Sequence, residues 1–139
     1  MNGYTGEILK VNLTTGTMDA EQLPESFYRR YLGANGFIGY YLLKEMPASV
    51  DPLGPDNLLI FVAGPVTGVP IAGSGRSAVG GKSPLTGGYG EADVGGASAR
   101  RCGAQASTRL WCAARRHRPS ICGCMMARLN SARRIIFGG

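Results

Sequence analysis

From Gly64 to Gly96 the chain is rich in glycine and holds a single arginine, Arg76, inside the run Gly73-Ser74-Gly75-Arg76-Ser77. Backbone without a Cβ approaches a ligand closely and can turn its N–H groups toward anionic oxygens. A guanidinium grips a phosphate through two parallel hydrogen bonds. The chemistry these residue types serve is anion binding. The same glycines also suit turns between short strands, and the residues by themselves leave both possibilities open. Residues 73–78 fit GxGxxA as well. A proline-rich loop precedes them and no amphipathic helix follows, so a dinucleotide fingerprint is rejected. No GxxxxGK(S/T) phosphate loop occurs.

The other reactive side chains cluster elsewhere. Cys102, Cys112, Cys122 and Cys124, the single His117 and the single Trp111 all lie beyond Gly96. Cys122 and Cys124 are too close for the usual zinc pair, and no second close pair accompanies them, so a zinc site is not expected. An oxidised disulfide framework is not expected either, because Met1 to Tyr4 shows no export signal. Arg115-Arg116-His117-Arg118 attracts nucleic acid or anionic lipid only non-specifically. With Trp111 as the sole nearby aromatic, base stacking has little to build on, and no specific nucleic-acid partner is expected. No Glu or His within 1–96 has a partner that suggests catalysis, so no general acid or base is assigned.

Charge divides the chain in two. The whole of 139 residues has 15 Lys+Arg against 9 Asp+Glu, a formal +6. All nine acids fall in residues 1–96 with six bases, a net −3, whereas residues 97–139 hold nine arginines, no lysine and no acid. The length suits one domain with a modest core. No run of about 18 apolar residues is present, so no membrane span is expected, and a cytoplasmic setting follows by default.

The elements that must position Arg76 are legible upstream of it. Leu9, Val11 and Leu13 alternate with Lys10 and Asn12, the period of a half-buried strand. Thr14-Thr15-Gly16 turns the chain, and Thr17 to Gln22 returns as a hairpin partner. Pro24 opens a helical stretch with Phe27, Tyr28, Tyr31 and Leu32 on one face, interrupted by Gly33 and Gly36. Residues 37–45 resume as a helix apolar nearly all round, hence well buried. Pro47 to Pro55 is a loop, and the apolar run Leu58 to Ala63 predicts a strand over 57–63 covered on both faces. Strands and helices mix without strict βαβ alternation, which makes the fold class α+β.

Several blocks together resemble the tungsten-dependent aldehyde:ferredoxin oxidoreductases. They are Tyr4 to Gly16, Tyr31-Leu32-Gly33 through Leu42-Leu43, Ala63-Gly64-Pro65-Val66-Thr67-Gly68, Lys82-Ser83-Pro84-Leu85-Thr86-Gly87, and Glu91-Ala92-Asp93-Val94-Gly95-Gly96. The resemblance covers residues 4–96 and implies part of a β-sheet saddle domain under a tungsten bis-pterin cofactor. It implies a role for Arg76 in binding a pterin phosphate. It implies a backbone carbonyl of Asp93, where the family often has Asn, on the magnesium that bridges the phosphates. Gly95 is implied as a backbone pterin contact. Ala34-Asn35-Gly36 departs from the family, many of whose members have an arginine before the glycine. The family reaction is oxidation of an aldehyde to a carboxylic acid, with electrons passed through a [4Fe–4S] cluster to ferredoxin. Later family domains supply the cluster cysteines, so 1–96 is expected to be a partial tungstopterin-binding domain, inactive and without bound cofactor on its own. The alternative is a stand-alone binding module that takes pterin cofactor or, through the arginine-rich tail, nucleic acid.

Residues 97–139 do not continue the resemblance. Codons built from the third base of each observed codon and the first two of the next do continue it. Trp111-Cys112 then forces Val, Met125-Met126 forces Asp and Met126-Ala127 forces Gly, while Ile135 to Gly139 permits His-Leu-Trp-Gly. One offset restores family blocks in order. Residues 97–139 are therefore expected to be an out-of-frame tail with no domain of their own and no consistent apolar face.

Overall fold

The structure, a computed structural model, describes residues 4, 6–12, 15–67, 69–95 and 110–112. Strands β1 (Glu7–Asn12) and β2 (Thr17–Gln22) form the expected antiparallel hairpin, with Ile8 opposite Glu21 and Val11 opposite Met18. Gly16 closes its turn at φ 75°, and its N–H donates to the Asn12 carbonyl at 2.8 Å. Two helices follow, α1 (Glu25–Tyr31) and α2 (Asn35–Glu45). The remaining strands are β3 (Ile60–Ala63), β4 (Arg76–Lys82), β5 (Tyr89–Gly95) and β6 (Leu110–Cys112). They form one sheet in the order β2-β1-β6-β3-β4-β5, antiparallel throughout except for the β1–β6 pair. The fold class is α+β, as the mixture of patterns predicts.

The core lies between the helices and one face of the sheet. Ile8, Ile60, Val62 and Ala78 meet Phe27, Tyr28, Phe37, Ile38, Tyr41 and Leu42 in one buried cluster. Hairpin, helix and strand thus pack as a single unit. In α2 the buried residues fall at i, i+1, i+4 and i+5, and the opposite side is open, with Leu43 88% exposed. The helix is buried on one side only, although its residues are apolar nearly all round. Its close seat on β4 depends on Gly80: a Cβ there would lie 2.5 Å from Ile38 Cγ2.

Three boundaries differ from the sequence-based expectation. Gly36 does not interrupt the helical stretch but lies in the first turn of α2, which starts at Asn35. A Cβ at position 36 would sit 2.2 Å from the Tyr31 carbonyl oxygen, so glycine allows the chain to double back there. The break falls instead at Leu32–Ala34, where Leu32 (φ 59°) and Ala34 (φ 46°) take positive φ despite their side chains. β3 begins at Ile60 rather than at 57, because the Asn57 side chain intervenes. Its Nδ2 donates to the Pro52 carbonyl at 2.6 Å and lies 3.2 Å from the Lys82 carbonyl, and its Oδ1 accepts from the Lys82 N–H at 3.2 Å. A side chain has replaced a ladder rung.

The third difference concerns 97–139. Leu110–Cys112 lies between β1 and β3, with Trp111 opposite both Leu9 and Phe61. At these three positions the segment expected to be a poorly structured tail forms a strand. A short slot between two strands needs backbone partners and little else, and Leu-Trp-Cys is compatible with strand geometry. The rest of 97–139, and with it Cys102, His117, Cys122 and Cys124, lies outside the described residues.

Candidate functional site

Arg76 opens β4 and Gly95 ends β5, and the hairpin between them sets their register. The Ser83 N–H donates to the Gly88 carbonyl and the Gly87 N–H to the Ser83 carbonyl, both at 2.8 Å, with Gly87 at φ 69°. The Ser83 hydroxyl oxygen accepts from the N–H groups of Leu85 and Thr86. This tight turn pairs Lys82 with Tyr89, Ala78 with Asp93 and Arg76 with Gly95. Because strand side chains alternate, Arg76, Asp93 and Gly95 share one face of the sheet. All three residues named from the sequence are brought together. Arg76 Nη1 lies 3.8 Å from Asp93 Oδ2, with the side chains 72% and 43% exposed.

A compact loop holds the Arg76 backbone. The Arg76 carbonyl accepts from the Thr67 hydroxyl at 2.7 Å and from the Gly64 N–H at 3.3 Å, so residues 64 and 76 close a loop between them. Inside it the buried Ser74 hydroxyl faces the Val69 and Ile71 carbonyls at 2.6 and 2.8 Å. Gly73 turns at φ 82°, and a Cβ on Gly95 would lie 3.7 Å from the Gly75 carbonyl oxygen. The Gly73–Gly75 segment therefore lies beside the end of β5. An exposed fork donor on a rigidly tied backbone, flanked by glycine, has the chemistry to receive an anion.

A second polar group on the same face had no signal in the sequence beyond period-two spacing. Tyr89, Glu91 and Asp93 alternate along β5. Glu91 Oε1 accepts from Asn35 Nδ2 at 3.0 Å, and its Oε2 accepts from the Tyr89 hydroxyl. Burial, then the hydrogen bond to Glu91 and the charges of Glu91 and Asp93, hold the Tyr89 phenol well above its ordinary range. Asn35 occupies the position at which the sequence departs from the family pattern, and it ties α2 to the sheet edge. Lys82 is committed elsewhere, its ammonium donating to the Ala48 and Val50 carbonyls at 2.6 Å each. Among the described residues no three His, Cys, Asp or Glu side chains are grouped to hold a metal ion. No helix among them is long and apolar enough to cross a membrane.

Sheet, helices and glycine-flanked arginine define a partial α+β domain. The family model described as aldehyde ferredoxin oxidoreductase, N-terminal domain, matches residues 8–115, and the chain belongs to that family. Over 96 residues, 69% of this chain, it is 51% identical to a tungsten-containing aldehyde ferredoxin oxidoreductase of Pyrococcus abyssi. Over the same length it is 49% identical to its counterpart in Pyrococcus horikoshii. The chain spans 16% of the length of each. Among solved structures it resembles a chain of the active-site complex BamBC of benzoyl coenzyme A reductase, with a TM-score of 0.77 and 30% identity. That match covers 86% of this chain and 18% of the other.

Proposed function

We propose that residues 1–96 form part of the tungstopterin platform of an aldehyde-oxidising enzyme, with Arg76 holding a pterin phosphate. In this reading the Asp93 backbone carbonyl would help hold a magnesium ion and Gly95 would be a backbone contact for the pterin. The observation that carries it is the β4–β5 register, which sets Arg76 opposite Gly95 and diagonal to Asp93. The residues fit the group: the guanidinium is exposed and, among the described residues, makes no hydrogen bond of its own. When bound, tungsten bis-pterin supplies the redox change and the oxygen transfer that convert an aldehyde to a carboxylic acid. The chain's own part is to bind and orient that cofactor. Electrons would leave through a [4Fe–4S] cluster to ferredoxin, and the four cysteines of the chain, Cys102, Cys112, Cys122 and Cys124, stand at intervals of 10, 10 and 2, unlike a cluster-binding spacing. We therefore read the 139 residues alone as inactive.

The test uses a full-length enzyme that carries this domain. Arg76→Ala removes a charge-assisted contact worth about 1.5–3 kcal/mol. Tungsten and pterin content per protein should fall by roughly tenfold or more under limiting cofactor. Unchanged occupancy would refute the assignment of Arg76. The alternative of a stand-alone binding module finds no support in the comparisons. For residues 97–139 we propose an out-of-frame origin, since one offset restores family blocks in order. Re-reading the gene across the Gly96 codon should show a one- or two-base insertion or deletion relative to an intact copy, and an unbroken frame in several independent copies would refute it.

A further inference from the structure

We infer that the turn between α1 and α2 is a loaded hinge, held shut by a hydrogen bond from Asn35 to Glu91 and set to open when that bond is lost. It needs no cofactor and stands apart from the platform reading. Three observations carry it. First, the turn puts residues with side chains where backbone sterics favour glycine. Leu32, which ends α1, has φ 59°, and Ala34, which precedes α2, has φ 46°. Neither residue offsets that cost locally. Leu32 is 63% exposed, and Ala34 caps α2 with no side-chain hydrogen bond. Second, attachments from outside hold the turn. The Tyr4 hydroxyl donates to the Leu32 carbonyl at 2.8 Å, and Asn35 Nδ2 donates to Glu91 Oε1 at 3.0 Å. Between them Gly33 seats on Pro65 so closely that a Cβ would lie 3.2 Å from Pro65 Cδ. Third, the bond from Asn35 crosses from helix to sheet edge onto a prepared acceptor. The Tyr89 hydroxyl donates to the other Glu91 oxygen, which orients the carboxylate for Asn35.

A hydrogen bond to a charged acceptor and the strain of a non-glycine residue at positive φ are of similar size. Loss of one therefore lets the other act. Released, Leu32 to Ala34 relax toward negative φ and the first turn of α2 moves off β5. Ile38, Tyr41 and Leu42 stay anchored in the core, so the rest of the helix keeps its seat. The movement reaches Arg76 through Pro65, because the adjacent Gly64 N–H donates to the Arg76 carbonyl. The hinge thus joins the helix layer to both strands of the β4–β5 hairpin.

Amide hydrogen exchange of the 139-residue chain tests this. The informative amides are Gly36 and Phe37, which donate to the Gly33 and Ala34 carbonyls, and Gly64. Asn35→Ala should speed exchange at Gly36 and Phe37 about tenfold, the effect of one lost bond to a charged acceptor, with Gly64 following in the same direction. Glu91→Ala should do the same, and the two changes together should add little to either alone. Glu91→Gln keeps an acceptor for Asn35 and should stay near the parent. Ala34→Gly should slow exchange about threefold, because glycine takes positive φ without strain, and should offset Asn35→Ala in the double variant. Exchange in the β1–β2 ladder should stay constant throughout, the sign of an intact fold. If Asn35→Ala leaves Gly36 and Phe37 at parent rates, or speeds the β1–β2 ladder equally, the bond does not hold a hinge. If Ala34→Gly leaves exchange unchanged or speeds it, the turn carries no load and the hinge falls. An unmoved Gly64 amide would sever the link to Arg76.

Discussion

Lys10 joins three elements through two carboxylates, at 2.5 Å from Glu45 and 3.1 Å from Glu21, while the Tyr41 hydroxyl donates to Glu21 at 2.8 Å. For Glu21, burial works against the charged form, but the hydrogen bonds from Tyr41 and Lys10 and the nearby ammonium charges outweigh it and lower its pKa below 4.5. For Lys10, burial again opposes charge, and its bonds to Glu45 and Glu21 outweigh it and raise its pKa above 10.5. The signs differ. Stability from Glu21 is complete above its ordinary value and is lost as pH falls through the lowered one. Stability from Lys10 is complete below its ordinary value and is lost as pH rises through the raised one. Thermal midpoints should therefore be level at neutral pH and decline below about pH 4.5 and above about pH 10.5. Glu21→Gln should lower the plateau and flatten the acid limb, and acid limbs identical in shape would show that the network contributes nothing. Tyr28 makes the opposite case. Its side chain is fully buried and its hydroxyl has no hydrogen-bond partner among the described residues. Tyr28→Phe should leave the melting temperature unchanged or raise it. A drop above about 1 kcal/mol would reveal a partner for the hydroxyl, such as a buried water.

The helix-on-sheet interface turns on one missing methyl group. Gly80→Ala would place Cβ 2.5 Å from Ile38 Cγ2, so α2 must lift or β4 must bend. Overpacking of this kind costs about 1–3 kcal/mol, and denaturant melts should show it. Ile38→Ala should be less harmful in the Gly80→Ala background than alone, because it vacates the same space; strictly additive losses would mean that the two sites do not meet. Periodicity reveals such elements where side chains repeat toward one core. The alternation of Leu9 and Val11 gives β1 but not its core face, because Ile8 rather than Leu9 is buried; Phe27 and Tyr28 are buried in α1, and the apolar run 37–45 is helical. Periodicity fails where a side chain bonds to distant backbone. Nothing local to Asn57 says that its amide will meet Lys82 and delay β3, and nothing local to Asn35 says that it will reach Glu91. The site was partly legible for the same reason. Arg76 is recognisable by residue type among glycines, whereas its loop is held by Thr67 and Ser74 bonding to carbonyls, which leaves no periodic trace. Asn57→Ala would remove hydrogen bonds that tie the 47–57 loop to the end of β4. It should destabilise by about 1–3 kcal/mol and speed amide exchange at Lys82 before exchange at the strand centre.

At the scale of the whole chain, β6 joins the β1–β2 hairpin to the β3–β4–β5 meander. The family match runs to residue 115, past the compositional break at Gly96, so the sheet draws on residues from both sides of that break. The two sides make different demands on sequence. A strand slot selects apolar residues of strand propensity, which both frames supply: Trp111-Cys112 as written, or the forced Val in the offset frame. A redox enzyme selects far more narrowly, for a thiolate set at defined spacing that carries electrons out of the cofactor. The four cysteines, Cys102, Cys112, Cys122 and Cys124, stand at intervals of 10, 10 and 2, all within the segment proposed to be out of frame. The 139-residue chain expressed with tungstate should therefore oxidise no aldehyde with ferredoxin or a viologen dye as acceptor. Joining residues 1–96 to the restored frame and its downstream domains should bring back tungsten, iron and turnover together. The three should rise in one step, because the proposed cofactor platform and the thiolates proposed to drain it then belong to one folded protein. Aldehyde turnover with stoichiometric iron from the 139 residues alone would overturn both the proposed frame and the proposed division of labour.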